Sequence, residues 1–234
     1  MKHYILRALT GSRAYGTHIP DSDYDWITAH VRDPGYYIGI SREHDGKPNL
    51  SDQKEDVTDH EIRHFIGMCC KFNPNIIVAL YSNDLTVDKN WAWLLTRREL
   101  FSSKKSIAPF IGFCTSQIRQ AGTPTGKLGE KRKALVDKYG YDVKMAYHSV
   151  RVIRMMLEFI KCNGQYLNVH REDAAELLEI RNGQWSLSRC TKEVSYIIDQ
   201  IKLAEPQCSL PDEPDYKKIS KLCSESMWYH LKDN

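Results

Sequence analysis

Gly11-Ser12-Arg13-Ala14-Tyr15-Gly16-Thr17-His18-Ile19-Pro20-Asp21-Ser22-Asp23-Tyr24-Asp25-Trp26 joins two apolar segments, Tyr4 to Leu9 before it and Trp26 to Val31 after it. The first segment runs into a Gly-Ser turn. Pro20-Asp21-Ser22 makes a second turn, and alternating carboxylates lead from it into the second segment. Side chains at i and i+2 of a strand point the same way, so Asp23 and Asp25 share a face. Two such carboxylates repel unless a cation lies between them, and a hard divalent ion with oxygen ligands suits that position. The glycine turn ahead of them offers backbone N–H groups and the Ser12 hydroxyl to a phosphate. Asp21 fits the turn better than the pair. Taken separately, Gly11-Ser12 is an ordinary turn, and the two aspartates could be charges that guard a strand edge. In this order they describe a triphosphate–metal site.

The rest of the chain bounds that reading. Its 234 residues give room for one large domain or two modest ones, with a real core. A net charge of +3 does not by itself point to nucleic acid. The apolar stretches are too short and interrupted to span a bilayer, so no membrane is expected, and Arg7 breaks the N-terminal run before any signal-peptide pattern. Seven scattered cysteines without a CxxC pair read as reduced thiols of a cytoplasmic protein, neither a disulfide framework nor a zinc site.

Working outward, residues 3–9 and 23–32 are expected strands, with a helical turn or loop at 13–17 between them. Tyr36 to Ile40 is aromatic and β-branched enough for a third strand after the Asp33-Pro34-Gly35 turn. A polar loop follows from Ser41, with a weak strand near Lys54 to Val57. Thr58 and Glu61 have capping-box spacing ahead of an apolar stripe of Ile62, Phe65, Ile66 and Cys69, which predicts a helix. Asn73-Pro74 ends it, a short helix is expected over 76–81, and Asp88 caps another carrying Trp91, Leu94, Leu95 and Leu100. Beyond residue 103 strand signals vanish. Helical periods cover 106–120, 142–161, 172–181, 191–203 and 216–231. The fold expected is α+β: a small mixed sheet with helices over 1–103, then an all-helical domain over 104–234 that closes the active-site cleft.

The Gly11-Ser12…Asp23-Tyr24-Asp25 pattern resembles the hG[GS]…DxD signature of the DNA polymerase β–like nucleotidyltransferase superfamily. Gly11 to Gly16 with Pro20 to Asp25 is closely similar to its RNA-ligase-associated, RlaP-like family. The likeness continues through Asp56 to Phe65, Asn73-Pro74-Asn75, Tyr147 to Arg151, Glu179 to Gly183 and Leu210 to Asp215. The resemblance implies a polymerase β–like core and two-metal phosphoryl transfer. Asp23 and Asp25 would share two Mg²⁺ ions, or Mn²⁺ in their place, about 3.5–4 Å apart. One ion would bind the triphosphate of an NTP, and the other would acidify an acceptor hydroxyl that attacks the α-phosphate and expels pyrophosphate. Gly11, Ser12 and Arg13 would grip the phosphates. The family's link to RNA ligases makes an RNA or tRNA end the leading acceptor. Nucleotidylylation of a protein or small molecule, and a non-catalytic nucleotide-binding module, are the rivals.

Such a site needs a third carboxylate. Asp52, Glu55, Asp56 and Asp59 are candidates. Asp56 matches the family's acidic position ahead of the helix, whereas Asp59 also fits as a charge at that helix's N-terminus. In the helical half, Lys144, His148 and Arg151 fall at i, i+4 and i+7, which makes them either a solvated polar face or a cationic wall for the triphosphate. Arg63 and Arg181 are lesser candidates for the same task. Residues 119–138 carry an excess of positive charge that could follow a nucleic-acid backbone. Trp91, Trp93 and Trp185 read as core or interface aromatics.

Overall fold

The computed structural model describes residues 2–38, 49–52, 55–123 and 129–233. The chain divides into two units: Met1–Ser102 together with Glu213–Asn234, and Ser103–Asp212.

The first unit is built on a mixed sheet. β1 (Lys2–Thr10) buries Ile5, Leu6 and Ala8, and passes directly into α1 (Gly11–Ala14). β2 (Tyr24–Arg32) returns antiparallel to β1, from Thr10↔Asp25 to Lys2↔Arg32, with one irregularity between Tyr4 and Leu6. α2 (Pro34–Ile38) follows, and β3 (Asn49–Asp52) pairs antiparallel with β4 (Glu55–Glu61). β4 lies parallel to β2, from Tyr24↔Glu55 to His30↔Glu61. After α3 (Ile62–Cys70) and a 3₁₀ turn at Ile77–Tyr81, β5 (Leu85–Val87) closes the order β3-β4-β2-β1-β5. Short helical pieces, Lys89–Trp91, α4 (Trp93–Thr96) and Arg98–Phe101, bury Trp91, Leu94 and Phe101.

The second unit holds α5 (Ile107–Gly122), α6 (Glu130–Tyr139), α7 (Val143–Lys161), α8 (Ala174–Arg181) and α9 (Leu187–Ala204). α7 packs on α5 and α9, and Ser149 Oγ donates to the Cys114 carbonyl at 2.9 Å. Its start is capped by Asp142, which accepts from the Met145 N–H and also takes the Arg132 guanidinium. α10 (Tyr216–Asp233) belongs with the first unit.

Several sequence expectations are corrected. Tyr36–Ile40 was expected as a strand, but Pro34–Ile38 is helical and Gly39 and Ile40 fall outside the described residues. Pro34 is pre-set for the first helical position, and the Tyr36 N–H bonds the Asp33 carbonyl at 3.0 Å. Thr58 to Glu61 lie in β4, not in a capping box, because pairing with β2 draws them into the sheet. α3 begins later, and the Glu61 carboxylate caps it by accepting from the Arg63 N–H. The single helix expected after Asp88 is three short pieces, although Asp88 does cap the first by accepting from the Asn90 N–H at 2.8 Å. The helical domain was drawn over 104–234, yet its last segment packs elsewhere. Trp93 Nε1 donates to Ser226 Oγ at 2.9 Å inside the first unit, and the Asp215 N–H bonds the Leu100 carbonyl.

Candidate active site

The β1–β2 and β2–β4 registers set Thr10 opposite Asp25 and Asp25 opposite Asp56. Residues directly paired across neighbouring strands share a face, so a hydroxyl and two carboxylates stand in a row across three strands. Adjacent strands lie about 4.8 Å apart, which puts the two carboxylates within reach of a common ligand. A cavity of about 240 Å³ opens over this row, lined by Thr10, Gly11, Tyr15, Asp25, Asp56 and Thr58, with Asn75 and Ile76 from the segment after α3. Asn75 is held there by its own turn: its N–H bonds Asn73 Oδ1 at 3.0 Å.

Gly11 fits no other residue type. Its φ is +66°, and a Cβ at this position would stand 1.8 Å from Asp25 Oδ2. The turn therefore touches the carboxylate directly, and only hydrogen separates them. α1 then begins, with the Tyr15 N–H bonded to the Gly11 carbonyl and the Thr17 N–H to that of Ser12. Ser12 lies partly exposed at this start.

Other residues singled out from the motif are placed differently. Asp23 precedes β2, is exposed, and does not line the cavity. Asp21 sits exposed in the Ile19–Ser22 turn, closed by the Ser22 N–H to the Ile19 carbonyl at 2.9 Å. Arg13 holds that turn through the Ser22 carbonyl at 2.8 Å and lies over the Tyr24 ring at 3.9 Å.

Among the other acidic candidates, Glu55 is exposed and faces Arg7 at 3.4 Å. Asp52 is in β3, and its side chain lies outside the described set. Asp59 is neither a ligand facing the cavity nor a charge at a helix start. It sits on β4 with its side chain buried, bonded to Lys2, Thr28 and His30. Among the described residues no group of three or more His, Cys, Asp or Glu side chains could hold a metal ion. The carboxylates that share the cavity are Asp25 and Asp56, with Thr10 and Asn75 also on its lining; the Thr10 hydroxyl donates to the Asp25 carbonyl at 3.1 Å and keeps lone pairs of its own. All offer hard oxygens, the chemistry that Mg²⁺ prefers.

In the second unit, Lys144 is exposed, but Arg151 is fully buried and His148 partly so. Burial, with the Arg151 and Lys144 charges beside it, pushes the His148 pKa down to about 3. Its Nδ1 accepts from Arg151 Nη2 at 3.3 Å. At neutral pH, of these three residues Lys144 is the exposed cation, Arg151 is buried and His148 is neutral. Arg63 lies over Tyr37 and bonds Glu61, and Arg181 lies over Tyr147. Residues 124–128 of the basic stretch lie outside the description, and Arg132 is committed to Asp142. Trp91, Trp93 and Trp185 are buried.

Sequence reading missed Thr10, Tyr15, Thr58 and Asn75 at the cavity. Strand alternation from Asp25 and Asp56 would have found Thr58, and the quoted Asn73-Pro74-Asn75 segment contained Asn75.

A family model, RlaP, described as the RNA repair pathway DNA polymerase beta family, matches residues 2–225. No curated protein matches the chain. Among the described residues no helix is long and apolar enough to cross a membrane.

Proposed function

The chain belongs to the RNA repair pathway DNA polymerase beta family, and on that premise we propose that it is a metal-dependent nucleotidyltransferase. It moves an NMP from an NTP to an acceptor hydroxyl, with an RNA or tRNA end as the acceptor. One observation carries this reading: the parallel β2–β4 register sets Asp56 beside Asp25 while Gly11 presses on the Asp25 carboxylate. RNA as acceptor is supported by the family description alone.

Asp25 and Asp56 would hold the divalent cation, and Asp23, exposed just ahead of β2, is the further carboxylate that the motif offers. A divalent ion bound there would supply charge to offset the triphosphate and to lower the pKa of the acceptor hydroxyl. The chain's own groups do the rest. The first N–H groups of a helix have no partner inside it, so those at the start of α1 face the β- and γ-phosphates together with the Ser12 hydroxyl. The acceptor oxygen bonds to the α-phosphorus as the bond to the bridging oxygen breaks, and pyrophosphate leaves with that electron pair. Asp56, exposed on its strand, takes the hydroxyl proton.

The test is transfer of α-labelled NMP from each NTP to RNA ends, with Mg²⁺ and with protein as a competing acceptor. Labelled RNA and released pyrophosphate are expected. Asp25→Asn and Asp56→Asn should each lower transfer more than about 100-fold, as loss of a group that stabilises transition-state charge does. Nucleotide that binds without any transfer defeats the reading. Full activity in Asp23→Asn removes that residue and leaves the pair.

A further inference from the structure

Asp59 follows Asp56 by three residues on β4, so the pleat turns it to the face away from the cavity. There it accepts from Thr28 Oγ1 at 2.9 Å, lies 2.9 Å from His30 Nδ1, and pairs with Lys2 Nζ at 2.8 Å. Thr28 is its direct partner in the β2–β4 register, and Lys2 reaches it from β1 across the middle strand. Its side chain is only 2% exposed. Burial alone would raise its pKa, yet the bonds from His30, Lys2 and Thr28 outweigh that and hold the carboxyl well below the usual range.

A parallel strand takes its register from its apolar pattern, and strands without one are prone to slip. β4 reads Glu55-Asp56-Val57-Thr58-Asp59-His60-Glu61, with Val57 as its one aliphatic residue. Its outer neighbour β3 has four residues. A slip of one residue would turn Asp56 to the back of the sheet, and a slip of two would carry it about 6.6 Å along β2. The strand's own apolar pattern is too thin to set its register, so the polar contacts of its back face bear on it.

We propose that Asp59 is a positioning residue that locks β4 to β2 in the register placing Asp56 opposite Asp25, and so sets the geometry in which the pair takes a divalent cation. The inference rests on the metal reading of the site given above. Asp59 itself touches no reactant.

The test uses the full chain and Mn²⁺, with free Mn²⁺ followed by electron paramagnetic resonance. Hydrogen exchange at the β4 amides is measured in parallel. Asp59→Asn keeps the shape and loses the charge. It should weaken Mn²⁺ binding about tenfold, as outer-shell changes do, and speed exchange at residues 55–61. Thr28→Val and Lys2→Met each remove one contact and should shift both readouts less, in the same direction. They decide the matter if Asp59→Asn does not fold. Unchanged Mn²⁺ affinity in folded Asp59→Asn, or in both milder variants, overturns the inference while leaving the function standing. Absence of Mn²⁺ binding by the unsubstituted chain defeats the shared metal reading and this inference with it.

Discussion

One hydrogen atom at Gly11 separates a backbone turn from a carboxylate, which makes the residue the most sensitive point of the site. A non-glycine residue in the left-handed region costs about 1–2 kcal/mol. At Gly11 the added methyl also collides with Asp25. Gly140 has a similar φ of +78° with nothing within 4 Å, so Gly140→Ala isolates the backbone cost. Gly11→Ala is expected to lose at least that stability in urea denaturation and to bind Mn²⁺ poorly, because Asp25 must move. Gly140→Ala should lose stability alone. Equal Mn²⁺ binding in both variants would show that the close approach has no part in the site. Gly11 and Asp25 were legible in the sequence because they sit in one short motif. Thr10 was not, because its place on the cavity follows from strand register, and the Asn73-Pro74-Asn75 segment showed a turn without showing that it folds back onto the cavity. Asp23 lies just ahead of β2, and two carboxylates at i and i+2 share a face only once both are in the strand.

At the scale of elements, period decided what could be read. α5, α7 and α9 carry apolar stripes at 3- and 4-residue spacing and emerge near their expected bounds. α6 has no such stripe and was invisible: its sequence is Glu130-Lys131-Arg132-Lys133-Ala134-Leu135-Val136-Asp137-Lys138-Tyr139. Thr58 to Glu61 had a sound capping pattern, yet partner strands outweighed it. Helix-to-helix ties were equally hidden. Arg154 on α7 donates to Asp173 at 2.9 Å, to Glu176 on α8 at 2.5 Å and to Glu193 on α9 at 2.6 Å. Arg154→Met keeps most of the apolar stem and leaves Glu176 and Glu193 without this cation, while Asp173 keeps Arg171 at 2.8 Å. Losing one partner of a buried ionic network costs about 3 kcal/mol, and part of that is expected here because Glu176 is more exposed than the rest. Denaturation in guanidinium should show the loss, with Arg154→Lys recovering only a fraction because an ammonium lacks the planar fork. A variant as stable as the unsubstituted chain would mean that the Arg154 ties contribute nothing to holding these helices together.

For the whole molecule, the informative fact is that the chain leaves its first unit at Ser102 and comes back at Glu213. An amphipathic segment such as α10 announces that it will pack, not which core it will join, so the sequence placed it with the helices it follows. The return matters because α10 supplies the Ser226 acceptor for the buried Trp93 indole and buries its own Ile219. At the base of the excursion the two passing chains are bonded side by side, Lys104 N–H to the Pro211 carbonyl at 2.8 Å and Lys105 N–H to that of Asp212 at 3.2 Å. A segment whose ends lie this close behaves as an inserted domain, and such segments are exchangeable for short links. Replacing residues 103–212 by a few Gly and Ser residues should therefore leave a unit that melts in one cooperative transition and binds Mn²⁺ through Asp25 and Asp56. A chain stopped at residue 103 should not, since it loses α10 and with it the Ser226 acceptor of the Trp93 N–H and the buried Ile219. If the stopped chain folds and binds as well as the linked one, α10 is an appendage and the sheet unit is complete without it.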